Sequence, residues 1–539
     1  MSVTLLIPDD ASSFPSLLLE LTVAGVVYRF AELGPLDVAD GADVLHFHGG
    51  LLTSPVEETI DLWGNTATAR SISVQVLLGT GLTLQDLLQA GGEELMAATA
   101  RLLLWDGGEY DDCQVAASGR VSAPFLYGEP GEPESISFAI DRDLVDHALI
   151  PPAEAYLRED SFQSATTGQA DEDDIGAYYP IIIGRPGYGP SPLGGRFKAA
   201  PTVRANIGGV SAGDQRIVVA LGRVSATSIK VWSSANNSTT VPIVEDTDDY
   251  GIVVSYADVS GEATPTTWTA QGTGPTVAGW GDDGTLGLDG GGLHALGDVV
   301  IWALQQASIA EPGVDWERVH GAREALNALG RIDTFIDERI SPLEWLTGQV
   351  LAYFPVFVAD AGSGIYAGVW RYDAQPSDAI LTIDTSLPGY ERTSAVSWGS
   401  ADVANEISLE GGFSVASSGH LISRRWSGSP DLQGEEHRGH PLLSRSRALF
   451  GARELTASIP VVEDPATLDR IGAYLAYRHA MPRAEVGYRI PWRKAAVELG
   501  AVVAVEDSNV GLAGRLGIVT GRRYSAGALE IRVNLLPQV

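Results

Sequence analysis

Cysteine and lysine are almost missing from this chain. Its 539 residues include one cysteine, Cys113, and three lysines, at positions 198, 230 and 494. A single thiol excludes both an intrachain disulfide framework and a metal site built from several cysteines. Positive charge is therefore carried almost entirely by arginine.

Long hydrophobic runs are also absent. The longest, VVIWAL (299–304) and YYPIII (178–183), are far shorter than the ~20 apolar residues that cross a bilayer. The first residues, MSVTLLIPDD, have neither a basic region nor a small-residue cleavage site, so we expect no signal peptide. With 45% hydrophobic residues, the composition predicts a soluble globular protein.

Positive charge is scarce as well. The chain carries 35 basic and 69 acidic residues, a net charge of −34, which argues against a nucleic-acid reader because such proteins need a basic surface. Residues 1–160 hold 26 acidic and 6 basic side chains, whereas residues 469–539 hold 6 acidic and 10 basic ones. The acidic excess is either a solvated surface or a wall that repels a polyanion moving past it.

The patterns that are present predict mostly β-structure. The 62 glycines and 29 prolines are spread along the chain, as in proteins with many short strands and turns. Strands are predicted at SISVQVLL (71–78), SISFAI (135–140), YYPIII (178–183), RIVVALGRV (216–224), SIKVWSS (228–234), YGIVVSYADV (250–259) and AEVGYRIPW (484–492), and three more across 499–536. The length suggests about three to four domains. The fold class is thus mainly β with α+β parts, and multidomain.

Helical periodicity is confined to a few segments. Helices are predicted at 82–91, at 296–308, at 314–330 between Asp315 and Gly330, and at 464–480, the only clear helix in the last third. The polar, acidic segment 151–177 is predicted to be a loop.

The segment SPLEWLTGQVLAYFPVFVADAGSGIYAGVW (341–370) carries the strongest local signals. Ser341 can cap a helix, Pro342 suits its first turn, and Glu344 completes a capping box. Leu343, Leu346, Val350 and Phe354 fall on one helical face, Pro355 ends the helix, and a hairpin follows. These signals specify structure rather than chemistry.

Two short motifs are weak matches to catalytic patterns. Ser211 stands in GVSAG, but a nucleophile elbow needs a helix after the serine, and here a strand follows. The glycines of GWGDDG (279–284) fit a dinucleotide fingerprint but open no helix. Both are interpreted as glycine-containing loops.

Clusters of possible metal ligands are equally unspecific. His46 and His48 would point the same way from a strand but have no further ligand at a suitable spacing. The acidic run EDTDDYG (245–251) lacks the glutamate of a calcium-binding loop, and the cluster EEHRGH lacks zinc-protease spacing. The residues weighed in these two segments are Asp246, Asp248, Asp249, Glu435, Glu436, His437 and His440. Cys113 is interpreted as a small core residue. We therefore predict no catalytic, cofactor-binding or metal-binding residue.

A resemblance to a known family rests on the order of several segments. They are ARLLLWDGGEYDDCQVAASGRVSAPFLYGEPGEPESISFAI (100–140), YYPIIIGRPGYG (178–189), GDVVIWALQQASI…VDWERV (297–319), DTFIDERISPLEWLTGQVLAYFPVFVADAGSGIYAGVW (333–370) and LGAVVAVED…GLAGRLGIVTGRR (499–523). Together they resemble the tail-tip or baseplate hub proteins of long-tailed bacteriophages, which are similar to the central hub of contractile-tail baseplates.

The resemblance implies a structural protein of the virion tail tip, assembled in the host cytoplasm and without enzymatic activity. It implies a homotrimeric ring with two tube-like β-barrel domains per subunit. The candidate domains are 1–185 and 386–539 for the barrels, with a β domain at 186–295 and a helix–hairpin domain at 296–385. The implied partners are the distal tail protein, the tape-measure protein and tail fibre or tip proteins, with DNA only in passage and the host envelope only indirectly.

Two alternatives remain open. No lysozyme-like or peptidase-like insert and no fibre-like extension is visible, but a cell-wall-degrading enzyme would need only convergent carboxylates, one with a raised pKa. A receptor-binding or carbohydrate-binding tail protein would use some of the 12 tryptophans and 17 tyrosines as exposed platforms. Trp105, Trp302 and Trp345 lie within apolar patterns, which favours the core instead.

Overall fold

The computed structural model describes most of the chain. The described residues are 16–23, 25–32, 34–53, 56–59, 72–77, 98–105, 107–127, 135–141, 148–162, 172–184, 200–201, 203–204, 216–222, 224, 228–232, 238–259, 269–271, 277–278, 285–286, 293–307, 313–361, 364–399, 402–414, 419–428, 437–491, 497–525 and 528–537. The helix predicted at 82–91 lies outside them. Among the helices that are described, none combines the length and the apolar character needed to cross a membrane.

The N-terminal strands form one large sheet. The strands of this region are β1 (Ser16–Val23), β2 (Val26–Ala31), β3 (Leu36–Asp40), β4 (Asp43–Gly49), β5 (Leu51–Thr53), β6 (Val56–Thr59), β7 (Ile72–Leu77), β8 (Thr99–Trp105), β9 (Gln114–Tyr127) and β10 (Ser135–Asp141). Nine of them pair in the order β3-β4-β2-β1-β8-β9-β10-β7-β5, and β6 joins another sheet. A 3₁₀ turn, Tyr110–Asp112, precedes β9.

Strand β1 lies in the middle of this sheet because both of its faces are apolar. Leu17, Leu19 and Leu21 join the main core, and Leu18 joins a second cluster with Val38 and others on the opposite face. The buried Glu20 is compensated by two cross-strand neighbours, since Arg29 and Arg101 stand opposite it on β2 and β8. The Arg29 Nε–Glu20 Oε1 distance is 2.9 Å.

The middle of the chain forms a second sheet. Its strands, with the short strands around it, are β11 (Ile181–Ile183), β12 (Ala200–Pro201), β13 (Val203–Arg204), β14 (Arg216–Leu221), β15 (Ser228–Trp232), β16 (Ser238–Thr247), β17 (Val253–Asp258), β18 (Thr269–Gln271), β19 (Val277–Ala278) and β20 (Thr285–Leu286). Seven of them pair in the order β12-β18-β15-β16-β17-β14-β13, and β19 pairs with β20. The acidic segment predicted as a loop has no helix or longer strand in its described part, but its Ala155 and Leu157 are buried against this sheet.

The helices and the hairpin follow. They are α1 (Leu296–Gln306), α2 (Trp316–Leu329), β21 (Thr334–Ile336), α3 (Pro342–Glu344), β22 (Val356–Ala361) and β23 (Gly364–Val369). β21 pairs with β11, and β22 with β23, so the predicted hairpin is confirmed. Asp315 caps α2 by accepting a hydrogen bond from the Arg318 backbone N–H at 3.2 Å.

The capped segment at 341–354 differs from its prediction in the type of helix. Ser341 Oγ accepts a hydrogen bond from the Glu344 N–H at 3.2 Å, as the sequence predicted. The chain then widens into a π-helical turn, Trp345–Val350, in which the Leu351 N–H donates to the Leu346 carbonyl at 2.8 Å. The wider turn allows both Trp345 and Leu346 to be buried, and Trp345 packs edge-on against Trp302 of α1 at 5.9 Å.

The C-terminal third contains two sheets and two helices. Its elements are a 3₁₀ turn (Pro376–Asp378), β24 (Leu381–Asp384), β25 (Glu391–Arg392), β26 (Ser397–Gly399), β27 (Glu406–Ser414), β28 (Gly419–Ser427), β29 (His437–Gly439), α4 (Pro441–Phe450), β30 (Glu454–Ile459), α5 (Pro465–His479), β31 (Arg483–Ile490), β32 (Val502–Asp507), a 3₁₀ turn (Ser508–Val510), β33 (Leu512–Ser525) and β34 (Ala528–Leu535). One sheet has the order β24-β32-β33-β34-β31-β25, with β26 on β31 and β6 on β33; the other has the order β29-β28-β27-β30.

The predicted helix at 464–480 and the three predicted strands of 499–536 are confirmed, but α4 was missed. The sequence indicated only one clear helix in the last third. Pro441 at the first turn and Gly451 at the end, with φ of 72°, are ordinary helix signals. The helix was missed because its buried face is short and partly polar. Its buried residues are Leu442, Leu443 and Ser446, and the last of these lies within the polar run SRSR.

One hydrophobic core connects the N-terminal sheet, the helices and the C-terminal sheets. Its members include Leu19 of β1, Trp302 of α1, Phe354, Leu468 of α5 and Tyr488 of β31. The predicted fold class, mainly β and multidomain with helical parts, is confirmed by this arrangement.

Candidate assembly surfaces

Several residues weighed as catalytic or ligand-binding candidates lie outside the described residues. They are Ser211, the glycine loop 279–284, Glu435 and Glu436. The remaining candidates are all within the described part of the chain. There, no group of three or more histidine, cysteine, aspartate and glutamate side chains is placed to hold a metal ion.

His46 and His48 do share one face of β4. Their ring centroids are 5.1 Å apart, and His46 Nδ1 lies 2.6 Å from Asp37 Oδ1 on the neighbouring β3. Cys113 follows the 3₁₀ turn and is half-buried against the second cluster of the N-terminal sheet, as a small apolar residue would be.

The acidic run at 246–249 builds a turn. The buried Asp248 accepts hydrogen bonds from the Tyr250 and Ile252 backbone N–H groups, at 3.0 and 2.8 Å, and from the Tyr179 hydroxyl at 3.1 Å. Asp248 therefore fixes the β16–β17 connection against the segment that precedes β11.

His440 is the residue before α4. Its ring packs against Tyr477 at 4.8 Å and Trp426 at 6.4 Å, and burial lowers its pKa. His437 lies on β29. The ring contacts of His440 are therefore with aromatic side chains.

Among the described residues, one carboxyl group has a raised pKa. Burial raises the pKa of the Glu32 carboxyl, which directly follows β2. Glu32 does not line either of the two clefts of the C-terminal sheet.

Strand β6 links the N-terminal sheet to the C-terminal sheet. β5 pairs with β7 at the edge of the N-terminal sheet, and after two intervening residues β6 pairs with β33 in the C-terminal sheet. Val56 of β6 is 1% exposed and stands opposite the fully buried Tyr524. This pairing of β6 with residues 521–524 of β33 joins an N-terminal strand to a C-terminal one, and we call it the seam.

A row of alternating charges crosses this seam on the exposed face of the C-terminal sheet. The row consists of residues that stand directly opposite each other on adjacent strands. From β25 across β31, β34 and β33 to β6, these residues are Glu391, Arg489, Glu530, Arg523 and Glu57. Arg489 reaches both neighbouring carboxylates, Glu391 at 3.0 Å and Glu530 at 3.4 Å. Opposite charges across strands stabilise the pairing by a few tenths of a kcal/mol to about 1 kcal/mol each.

This charged row borders a shallow cleft of about 370 Å³. Arg532 spans it, with Glu485 at 3.4 Å on one side and Glu57 at 3.8 Å on the other. Acidic and basic side chains balance here, in contrast to the acidic excess of the whole chain. The face is a polar wall rather than an apolar ligand pocket.

A second charged surface lies at the far edge of the N-terminal sheet, and we call it the acidic edge. It comprises β3, β4 and the adjoining 3₁₀ turn, with the exposed carboxylates Asp37, Asp43, Glu109, Asp111 and Asp112. Tyr110 anchors the turn, because its hydroxyl donates to Glu20 at 2.7 Å and burial raises its pKa to about 12. Val44 of β4 is 64% exposed beside these acids.

The three tryptophans that the sequence predicts to lie in the core are buried or half-buried. Trp302 and Trp345 are 5% and 1% exposed, and Trp105 is half-buried against the second cluster. Trp398 differs, since it is 61% exposed on the short strand β26.

No protein-family model matches this sequence, and no curated protein matches it. Among solved structures, the chain is similar to the tail protein from Neisseria meningitidis MC58, with 10% identity, 97% coverage of both chains and a TM-score of 0.37. It is similar to the 43 kDa tail protein of prophage MuSo2 from Shewanella oneidensis, with 9% identity, 96% and 98% coverage and a TM-score of 0.37. A chain of the native gene transfer agent virion shows 12% identity, 66% and 88% coverage and a TM-score of 0.35. All three TM-scores are below those of a shared fold.

Proposed function

We propose that this chain is a structural component of a phage tail tip or baseplate. In this proposal it forms a homotrimeric hub ring that closes or extends the tail tube. The ring connects the distal tail protein to tip or fibre proteins and surrounds the channel through which DNA leaves. The sequence resemblance supplies the class of protein, and the geometry of the sheets supports the mechanical role.

The observation that carries the proposal is the seam between β6 and β33. A ring subunit must hold two β-sheets at a fixed angle, since closed rings tolerate little error in the angle between neighbours. Here the chain passes directly from the edge of one sheet into the other, and both sheets share one core. In the proposed ring, this continuous β-structure would hold the two sheets of each subunit in a fixed orientation.

The domain boundaries proposed for this role are 1–185 and 386–539 for the tube-like parts, with 186–295 and 296–385 between them. Helices α1 and α2 and the π turn lie between the sheets in sequence and contribute to the same core. They would serve as the rigid connection between the tube-like parts.

The charge balance suits a channel for DNA. Phosphate contacts from basic side chains would bind passing DNA by releasing its counterions. A net charge of −34, concentrated in residues 1–160, would keep the wall from binding it. Neutral or basic lumen-facing residues in the assembled ring would contradict this part of the proposal.

The proposal is tested by locating the chain in its particle. A reconstruction of the particle by electron microscopy should show three copies at the tail tip, between the tube and the fibres. A single copy, or a position away from the tail axis, would overturn it. The mass of the isolated full chain, measured in solution, provides an independent value for the copy number.

A second candidate, binding of a host glycan, is favoured by Trp398. Its ring is 61% exposed on the short strand β26. An exposed aromatic ring of this kind can serve as a stacking platform for a sugar. Binding of the purified chain to host cells, lost in Trp398→Ala, would support this function over a purely structural one.

A further inference from the structure

Helix α4 presents an unusual surface for so acidic a chain. Residues 437–453 contain four arginines and no acidic residue. Arg447 pairs with the buried Glu406, and Arg438 Nη2 lies 3.1 Å from Asp469 Oδ2. Arg445 and Arg453 are exposed.

The outward face of α4 combines charge with apolar surface. Arg445 and Leu449 are four residues apart and therefore lie on one side of the helix. Leu449 is 59% exposed, although α4 buries Leu442 and Leu443 on its inner side. An exposed leucine beside an arginine is the composition of an interface more than of a solvated helix face.

Arg515 of β33 is a second positive charge close enough to Arg445 for the two to interact. Its Nη2 donates to the Leu536 carbonyl at 2.8 Å, which holds the side chain in place. Burial lowers the pKa of the Arg515 guanidinium, and the charge of nearby Arg445 lowers it further. Two guanidinium groups that repel each other in the isolated chain would be stabilised by an approaching carboxylate.

The acidic edge has the complementary composition. Asp37 and Val44 lie on the same face of the β3–β4 hairpin, because Val44 stands opposite Ala39, two residues from Asp37. Glu109, Asp111 and Asp112 extend the negative surface along β3. Both surfaces thus have an exposed aliphatic side chain with charges of one sign around it, and the signs are opposite.

We infer that the outer face of α4, formed by Arg445, Leu449 and Arg515, docks onto the acidic edge of a second copy of this chain, around Asp37 and Val44. The inference rests on the proposed function, because it names the contact through which the ring would close. The two surfaces are different, so the contact is heterologous, and heterologous contacts of suitable rotation close into rings. Each copy would offer one surface to each neighbour.

The test uses the full chain and measures its oligomeric mass over a range of protein concentration and salt. Arg445→Glu and Asp37→Arg should each weaken association by about tenfold or more, because close interfacial charge pairs are coupled by more than about 1.4 kcal/mol. The double variant Arg445→Glu with Asp37→Arg restores opposite charges across every contact, so it should regain much of the lost affinity. Raising the salt concentration should weaken the wild-type assembly.

Arg470→Glu is the matched control, since Arg470 is also an exposed arginine on a helix, α5. It should leave association unchanged. Circular dichroism and thermal unfolding establish that each variant is folded. Equal association of Arg445→Glu, Asp37→Arg and Arg470→Glu, in a wild type that does form multimers, would overturn the docking inference and leave the proposed function standing. A wild type that remains monomeric and occurs once per particle would overturn both.

Discussion

Glu57 and Arg523 stand opposite each other in the pairing of β6 with β33, although they belong to opposite ends of the chain. Their pairing places a strand of the N-terminal region inside the C-terminal sheet. The charged pair lies on the exposed face, and the buried contact of Val56 with Tyr524 lies next to it. The opposite charges of Glu57 and Arg523 favour this register of β6 on β33. Burial of Val56 and Tyr524 supplies most of the free energy that stabilises the pairing.

Replacing Val56 by alanine should weaken the seam. Removing two methyl groups from a fully buried position costs about 2 kcal/mol of unfolding free energy, through lost burial and the cavity that remains. Leu52→Ala on β5 is the matched control, because Leu52 is 48% exposed and its loss should cost under about 0.5 kcal/mol. The comparison is made by denaturant unfolding.

Hydrogen exchange localises the effect of the same substitution. Amides of β6 and of the 521–524 segment of β33 should exchange faster in Val56→Ala, while those of α5 should not. Equal destabilisation by Val56→Ala and Leu52→Ala would show that the seam contributes little to stability.

Two helical glycines should respond to alanine in opposite directions. At Gly472 of α5 an added methyl group would collide with the Trp426 side chain, so Gly472→Ala should destabilise the protein despite its better helix propensity. At Gly321 of α2 the same methyl group meets open space, so Gly321→Ala should stabilise by up to about 1 kcal/mol. Thermal unfolding of both variants shows whether each substitution raises or lowers the melting temperature. A stabilising Gly472→Ala would mean that α5 is not packed closely against β28.

The contrast between local and long-range signals explains which features could be predicted from the sequence. The caps at Asp315, Ser341 and Asp464 were recognised because each depends on residues a few positions apart. The hairpin β22–β23 and the strands β32 to β34 were recognised for the same reason. None of these predictions needed knowledge of distant residues.

Long-range pairing could not be predicted in this way. Nothing in VEET (56–59) indicates that its partner is β33 rather than a neighbour in sequence. The same holds for the cross-strand row that includes Glu391 and Arg489, since its members are spread along the chain. The π turn after Ser341 was also missed, because the apolar spacing of Leu346 and Val350 suits an α-helix equally well.

The caps themselves provide a further prediction. Asp464 accepts hydrogen bonds from the Thr467 N–H at 2.9 Å and from the Thr467 hydroxyl at 2.7 Å. Asp464→Ala should therefore cost about 1 to 2 kcal/mol of unfolding free energy, whereas Asp464→Asn, which keeps an acceptor, should cost much less. Ser341→Ala should cost about 1 kcal/mol. Denaturant unfolding measures all three, and equal losses for the alanine and asparagine variants of Asp464 would contradict a capping role.

His479 should make the stability of the protein depend on pH. Its pKa is lowered to about 4, mainly by burial and to a smaller extent by the positive charges of Arg478 and Arg483. A hydrogen bond of its Nδ1 to the Asp402 carbonyl, at 2.9 Å, acts in the opposite direction. The unfolded chain would titrate this imidazole near pH 6.5, so between about pH 6.5 and pH 4 the unfolded state binds a proton that the folded state does not. The contribution of His479 is therefore fully present above pH 6.5 and is lost as the pH falls toward 4. Thermal unfolding of wild type and His479→Gln across this range isolates it, because carboxylates titrate equally in both proteins. As the pH falls from 6.5 toward 4, the melting temperature of the wild type should fall more than that of His479→Gln. A difference in melting temperature that stays constant with pH would show that the fold does not keep His479 neutral.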